Sequence, residues 1–435
     1  MNLLKRIRQR LLRLPGGNAE LMLLVSHVRG ALRGTKHRLA RALYTLTFLA
    51  KNAPRKKVIG CKDHCRILER FPVRSGSIAE DWYVPVRPSE TVHRLPSICL
   101  DEDEAARFRV GTMKYQNGDR CEIPEVFLAC FHNARLEGRD FFVLTRDNQI
   151  VFESALSLQE LLEKNRIRDT LIRSTTKKLS GTYVLLSHPW AFAYYHWMLE
   201  LLPKLSLIEN FEELGSVPLI VPHQLKSFQR ESLRMAGVPA EQMVCLDDND
   251  WRVERLFFPE IPAPSGIPSP HAGRWLRKRF LKVPQESRSG RRIYLTRSDA
   301  AHRRVLNEEQ IIEYLQEEGF KIVCAGELSI SDQVEMFRDV EIVIAPHGGA
   351  CTNMVFAPIG ATLIEFFGDN YINGCYWALT NICGQKHAFL TGPSHLGRLV
   401  MVQGSSAFGK DLPQWLDYSI SLDELKALLA KLAVL

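Results

Sequence analysis

The sequence predicts an α/β protein of two lobes facing a cleft, preceded by a basic helical arm. Three observations carry this. Short apolar runs alternate with helical stretches, most sharply over residues 292–367, as a parallel sheet with crossover helices requires. A Pro-rich segment holding Pro259, Pro262, Pro264, Pro268 and Pro270 divides the alternation into two halves. The 435 residues are 46% apolar and 24% charged, a globular composition that excludes wholesale disorder, collagen and coiled coil.

The arm comes first. Residues 1–57 carry 14 Lys/Arg against one acid, Glu20, a net of +13, which leaves the other 378 residues at −5. The body therefore lacks the basic face of a nucleic-acid binder. Leu4, Ile7, Leu11 and Leu14 recur at helical spacing among Lys5, Arg6, Arg8, Arg10 and Arg13. Such a helix can lie in an anionic headgroup layer, or pack on the body. The chain shows neither an apolar run of spanning length nor an ordinary signal peptide. Ten Cys without a C-x-x-C suggest buried thiols in a reducing compartment, Cys245 and Cys324 among them. The expected location is cytoplasmic, peripheral on the inner face of a membrane.

Residues 58–258 are read as an N-terminal, acceptor-side domain. Its first part, to about residue 140, reads as irregular. A hairpin follows at 141–144 and 149–153, then a strand at 183–186 and a helix over 194–209. Strands at 217–221, 244–246 and 256–258, with a helix near 227–235, continue the pattern. Residues 259–290 form the linker region, with a short basic helix at 274–280. The second domain, 291–410, has strands at 292–296, 320–324, 341–345 and 361–367. Its first helix spans 307–318, with Asn307 as cap and Gly319 just beyond its end. Ser329-x-x-Asp332 opens the next helix as a capping box. Residues 411–435 close the chain as a helix.

Three motifs can carry chemistry. Ile342-Val343-Ile344-Ala345 runs into Pro346-His347-Gly348-Gly349-Ala350-Cys351-Thr352-Asn353. At the carboxyl edge of a parallel sheet, the glycines let backbone amides approach a ligand, and the helix start favours an anion. His347 can donate to a phosphate or sugar oxygen. The second motif, Thr296-Arg297-Ser298-Asp299 through His302-Arg303-Arg304 to Asn307-Glu308, concentrates guanidinia at another strand end, where they can grip a diphosphate bidentately. In the third, Tyr194-Tyr195-His196-Trp197…Glu200, the i,i+4 spacing puts His196 and Glu200 on one helix face. The aromatics there can hold a sugar ring or simply fill the core. His196-x-x-x-Glu200 lacks the third ligand of a standard zinc site, so no metal is expected. Asp101-Glu102-Asp103 and Asp248-Asn249-Asp250 are acidic pairs of the kind that can hold Mg²⁺, and read more simply as solvated turns.

The ordered set of His196 with Glu200 and Pro203, Arg297, Arg303, Asn307-Glu308, Ser331-x-Gln333, His347-Gly348-x-Ala350-x-x-Asn353 and Glu365 resembles glycosyltransferase family 61, over roughly residues 180–370. Bacterial members are often labelled capsular polysaccharide biosynthesis proteins. The resemblance implies a GT-B fold and metal-independent, inverting transfer from a nucleotide sugar, read here as UDP-linked. The acceptor would be a glycan or lipid-linked glycan of the cell envelope. It places Arg297, Arg303, Asn307, His347, Gly348, Gly349, Ala350, Asn353 and Glu365 on the donor side. The expected base is His196, with Glu200 and Asp299 as alternatives. Gly349 and Cys351 stand where the family more often has Ala and Leu. Two other readings stay open: a metal-dependent transferase using an acidic pair, and a non-catalytic membrane-associated scaffold of the same fold.

Overall fold

The computed structural model describes residues 58–72, 78–116, 118–137, 141–155, 176–247, 249–282, 290–395 and 416–433. The basic arm, Asp248 and residues 283–289 of the expected 259–290 linker region lie outside them. The expected α/β character is observed: two sheets with parallel strands and several helices.

Among the described residues the first sheet has ten strands. Its longer and site-proximal strands include β1 (Trp82–Arg87), β2 (Val126–Glu137), β3 (Thr176–Leu185), β4 (Leu219–Val221), β5 (Met243–Cys245, an edge strand) and β6 (Asp250–Pro259). β6 runs antiparallel to β2 and parallel to β3, and β4 and β5 extend the parallel half. The carboxyl ends of β3 and β6 lead, respectively, into the helical segment that begins at Tyr194 and into the Pro-rich segment.

The second sheet is wholly parallel: β7 (Arg291–Leu295), β8 (Lys321–Val323), β9 (Val340–Pro346), β10 (Thr362–Gly368) and β11 (Lys386–Gly392), in the order β8-β7-β9-β10-β11. All of β10 and nearly all of β9 is buried, which explains their unbroken apolar runs. The helices are α1 (Glu102–Gln116), α2 (Ser227–Met235), α3 (Pro270–Phe280), α4 (Glu308–Glu317), α5 (Ile330–Phe337), α6 (Cys375–Ile382) and α7 (Leu422–Lys431). α4 and α7 pack on the face carrying Tyr294, Ile344 and Phe366. α5 packs on the opposite face, with Ile293, Val343 and Leu363. That second core continues into Trp197, Leu201, Trp275 and Val184 of the first half. One apolar layer thus joins the two sheets.

Several elements differ from expectation. The stretch read as irregular contains the 15-residue α1 and the 12-residue β2. Gly111 breaks the helical pattern of α1, yet close packing requires it, because a Cβ there would press on Ile372. The segment before α1 and α1 itself lie on the second sheet: Ile98 N–H donates to the His387 carbonyl at 2.9 Å, and Phe108 of α1 stacks on Phe389. The Pro-rich segment is packed rather than loose, with Ala263 and Ile267 buried against Cys121 and Ile123. The helix from 194 holds a π turn at Trp197–Leu201 before it ends at Ile208. Asn307 precedes α4 without a side-chain cap, whereas Ser329 caps α5 by accepting from Asp332 N–H. Cys245 is exposed, a correction to its reading as a buried thiol, and Cys324 is half-buried. No helix among the described residues is long and apolar enough to cross a membrane.

Candidate active site

β7 and β9 are neighbours whose following helices, α4 and the short turns after His347, leave to opposite faces of the sheet. This is the topological switch point, where the strand ends part and a crevice opens. Both sequence motifs of the second half lie there. Arg297 follows the end of β7. Its N–H donates to Glu308 Oε1 at 3.3 Å and its Nη2 to the His302 carbonyl at 3.3 Å. Its guanidinium lies on the Cα of Gly348, so any Cβ at 348 would overlap Nη1. That close approach, rather than backbone freedom, is what demands glycine: φ of Gly348 is −178°, ordinary extended chain.

Arg303 sits in the left-handed region at φ 57°, a strained choice for a side-chain-bearing residue. The turn brings it into one small cavity with His347, Tyr371 and Tyr418. Neither Arg297 nor Arg303 has a carboxylate within ion-pair distance among the described residues, and the Nε of each is buried without an acceptor. Buried donors left this way are rare and costly. Arg304, the next residue, is satisfied by Asp417 at 2.8 Å. The two uncompensated cations act on their surroundings. Burial and then the charges of Arg303 and Arg297 lower His302 to about 4, and the same causes hold His347 well below its usual range.

His347 is fixed from behind. Its Nδ1 lies 2.5 Å from Glu365 Oε1, and Glu365 Oε2 lies 3.0 Å from His387 Nε2. His387 Nδ1 is in turn 2.6 Å from Ser97 Oγ. Burial raises the Glu365 carboxyl and lowers both imidazoles, which favours the uncharged form of each.

The second cluster stands on the first half. His196 Nδ1 lies 2.8 Å from Glu200 Oε2. Glu200 is buried, and accepts from Ser265 Oγ at 3.1 Å and from Gly266 N–H at 2.8 Å. His188 Nε2 is 3.7 Å from the same carboxylate. Nδ1 is the nitrogen that faces the carboxylate, so Nε2 of this partly exposed imidazole is turned away from Glu200. The π turn falls at Glu200, a common mark of functional positions.

One aromatic layer joins the clusters. His347 contacts Tyr376 at 5.3 Å between ring centroids, Tyr376 contacts Tyr195 at 5.7 Å, and Tyr195 contacts His196 at 5.2 Å. Tyr194 OH donates to Asn353 Oδ1 at 2.7 Å, and Asn353 Nδ2 to Gln333 Oε1 at 2.6 Å.

The geometry sorts the sequence candidates. It brings Arg297, Arg303, His347 and Gly348 together, with Gly349 and Ala350 opening the next helical turn. By helix geometry their amides lack intrahelical acceptors. Glu365 supports His347 rather than facing a ligand. The side-chain amides of Asn307 and Asn353 have partners within the fold. Asn307 is used up by the backbone of Ile420, at 2.8 and 3.0 Å, and Asn353 is a fully buried tie between the halves. Asp299 is exposed and lies against Gly326, without a link to His196. Trp197 is core, its Nε1 donating to Ser232 Oγ, and Tyr195 is largely buried, so neither forms the sugar platform considered from sequence. Asp101 caps α1 at Glu104 N–H, and Asp250 lies 3.3 Å from Arg135, so each acidic pair has a structural member. Sequence reasoning missed Ser265 and Gly266, hidden in a segment read as linker, and His387 and Ser97, which no local motif announces. A larger cleft of about 330 Å³ lies elsewhere, where His64 pairs with Asp81 at 2.8 Å and Arg66 with Glu80 at 3.9 Å.

No curated protein matches the chain. Residues 194–364 match the sequence model of the family described as Glycosyltransferase 61. The match spans His196, Glu200, Arg297, Arg303 and His347, and ends one residue before Glu365. Such enzymes take a sugar donor and a glycan acceptor in general. Over these residues the chain is similar to glycosyltransferase family 61, and the match supports glycosyltransferase activity.

Proposed function

We propose that this enzyme moves a sugar, with inversion, from a nucleoside-diphosphate donor, most simply UDP-linked, to a hydroxyl of a glycan or lipid-linked glycan. The product would be a capsule or other envelope polysaccharide. The two sheets would act as the lobes of a GT-B enzyme, and the arm 1–57 would dock on the anionic inner face of a membrane. The observation that carries the chemistry is the pair of guanidinia, Arg297 and Arg303, at the switch point, without carboxylate partners among the described residues and one aromatic layer from the partly exposed imidazole of His196.

The steps follow from that placement. His196 Nε2 takes the proton of the acceptor hydroxyl, and the resulting imidazolium is stabilised by Glu200. The acceptor oxygen bonds to the anomeric carbon from the side opposite the diphosphate. The bond from that carbon to the β-phosphate oxygen breaks, and its electron pair leaves with the diphosphate. Arg297, Arg303 and the amides at Gly349 and Ala350 supply the positive charge this departure needs, the task a divalent cation performs in metal-dependent transferases. His347, held by Glu365, donates to a phosphate oxygen.

A thermal-shift panel of nucleoside diphosphates, with and without EDTA, tests the reading. The matching nucleotide raises the midpoint, and EDTA leaves the rise unchanged. A rise abolished by EDTA shows a metal-dependent enzyme instead, and no rise with any nucleoside diphosphate removes the donor assignment.

A further inference from the structure

We propose that Trp190 and Phe192 form a shelf on which a hexopyranose ring of the acceptor stacks, beside the base. The inference rests on the reading of His196 as the residue that deprotonates the acceptor. Trp82, Trp197 and Trp377 are almost fully buried, whereas Trp190 is 37% exposed and Phe192 52% exposed. Single exposed apolar side chains need no explanation. These two are adjacent: their ring centroids are 5.4 Å apart, at 38°. Trp190 also lies 5.7 Å from His196, at 32°. In order of contact the rings run Phe192, Trp190, His196, Tyr195, Tyr376, His347. The shelf therefore flanks His196 on the side of the sequence of contacts opposite the guanidinia, where the acceptor rather than the donor belongs.

The loop is also pinned. Trp190 N–H donates to His188 Nδ1 at 3.0 Å, Ala193 N–H to the Trp190 carbonyl at 3.0 Å, Gln229 Nε2 to the Ala191 carbonyl at 2.8 Å, and Lys226 Nζ to the Phe192 carbonyl at 3.1 Å. Holding two large apolar rings in water on a tied-down loop is unfavourable in the free protein and lowers the ordering cost when a flat partner arrives. The chemistry of the partner follows. One face of a hexopyranose presents C–H groups carrying slight positive charge, which suit the negative face of an indole or phenyl ring. Its hydroxyls lie at the rim, where His196 Nε2 can reach one and the exposed Lys226 ammonium, 5.9 Å from the Phe192 centroid, can meet another.

The test uses the full chain labelled with 5-fluorotryptophan. The Trp190 resonance is assigned by its loss in Trp190→Phe, and is followed by fluorine NMR during titration with methyl β-D-glucopyranoside, methyl β-D-galactopyranoside and methyl N-acetyl-β-D-glucosaminide. Glycerol serves as a polyol without a ring. A saturable shift of this resonance with at least one pyranoside, absent with glycerol and about tenfold weaker in affinity in Phe192→Ala, is the expected result. No shift with any pyranoside, or an equal shift with glycerol, overturns the shelf. Pyranoside binding at Trp190 together with failure of every nucleoside diphosphate in the thermal-shift panel removes the donor assignment and leaves the shelf standing. The converse removes the shelf alone.

Discussion

Two carboxylate–imidazole pairs stand on either side of one aromatic layer, and they are built for different work. Glu200 spends its remaining lone pairs on Ser265 and Gly266, which turns a single imidazole outward with 23% of its side chain exposed. Glu365 is fully buried and divides its two oxygens between His347 and His387, and the imidazole it presents is only 8% exposed. Two unneutralised guanidinia face the second pair, whereas an open aromatic loop flanks the first. On the proposed function, the same two side-chain types would serve proton transfer where one imidazole is turned outward, and fixed charge placement where both members are locked. Burial and neighbours, rather than residue identity, set the role.

The comparison breaks most severely on the cation side. Arg303→Ala removes one of the two groups proposed to face the leaving diphosphate, and should lower kcat by ~10³-fold or more and abolish the nucleotide-induced thermal shift. Arg304→Ala, which loses only a partly exposed ion pair with Asp417, should keep the nucleotide shift. Steady-state rates and midpoints on the two variants decide this. Equal losses in both, or turnover retained in Arg303→Ala, remove the distinction between satisfied and unsatisfied guanidinia.

The proton side should respond differently to the same chemical change. Glu200→Gln leaves the shape but no longer holds the proton on His196 Nδ1 as an ionised carboxylate does. It should cut kcat by ~10²-fold, with nucleotide affinity unchanged. Glu365→Gln should lower kcat only about tenfold but weaken nucleotide binding as well, because His347 loses its proton-sharing partner. Paired measurements of kcat and nucleotide affinity separate the two. If both variants shift the two quantities in the same ratio, the pairs do not differ in role.

How much of this was legible before the fold was known depends on the range of each interaction. β9 and β10 declared themselves as unbroken apolar runs because strands buried on both faces have no polar alternation to disguise them. Arg297, Arg303 and His347 sit at strand ends that a parallel sheet must bring to one edge, so their convergence follows from order alone. His196 and Glu200 share a helix face by spacing. The distant partners of Asn307 and Asn353 were not legible, because an amide between two motifs looks the same whether it meets a ligand or a remote part of the chain. Ile420 is 113 positions from Asn307, and Tyr194 is 159 from Asn353, well beyond any local pattern. Ser265 was hidden by its prolines, which read as a loose connection when the segment is packed beneath Glu200. The helix α1 was lost because Gly111 interrupts its periodicity for the sake of contact with Ile372.

The smallest effect offers the finest discrimination between the two sides. His302, beside Arg297 and Arg303, and His271, beside Arg87 and Arg274, both have a pKa of about 4, lowered chiefly by burial and then by those cations. An unfolded histidine takes its proton near 6.5, so the unfolded chain binds more protons than the native one between the two values. Their contribution to stability is therefore complete above about pH 6.5 and is lost as pH falls toward 4, and the melting midpoint should decline through that window. His271→Gln should flatten the decline. Inorganic pyrophosphate bound between Arg297 and Arg303 would cancel part of the field at His302 but none of it at His271. Ring-carbon NMR titrations should then show the His302 pKa rising on pyrophosphate addition while that of His271 stays fixed. If both histidines move equally, or neither moves, the anion does not sit where the guanidinia converge.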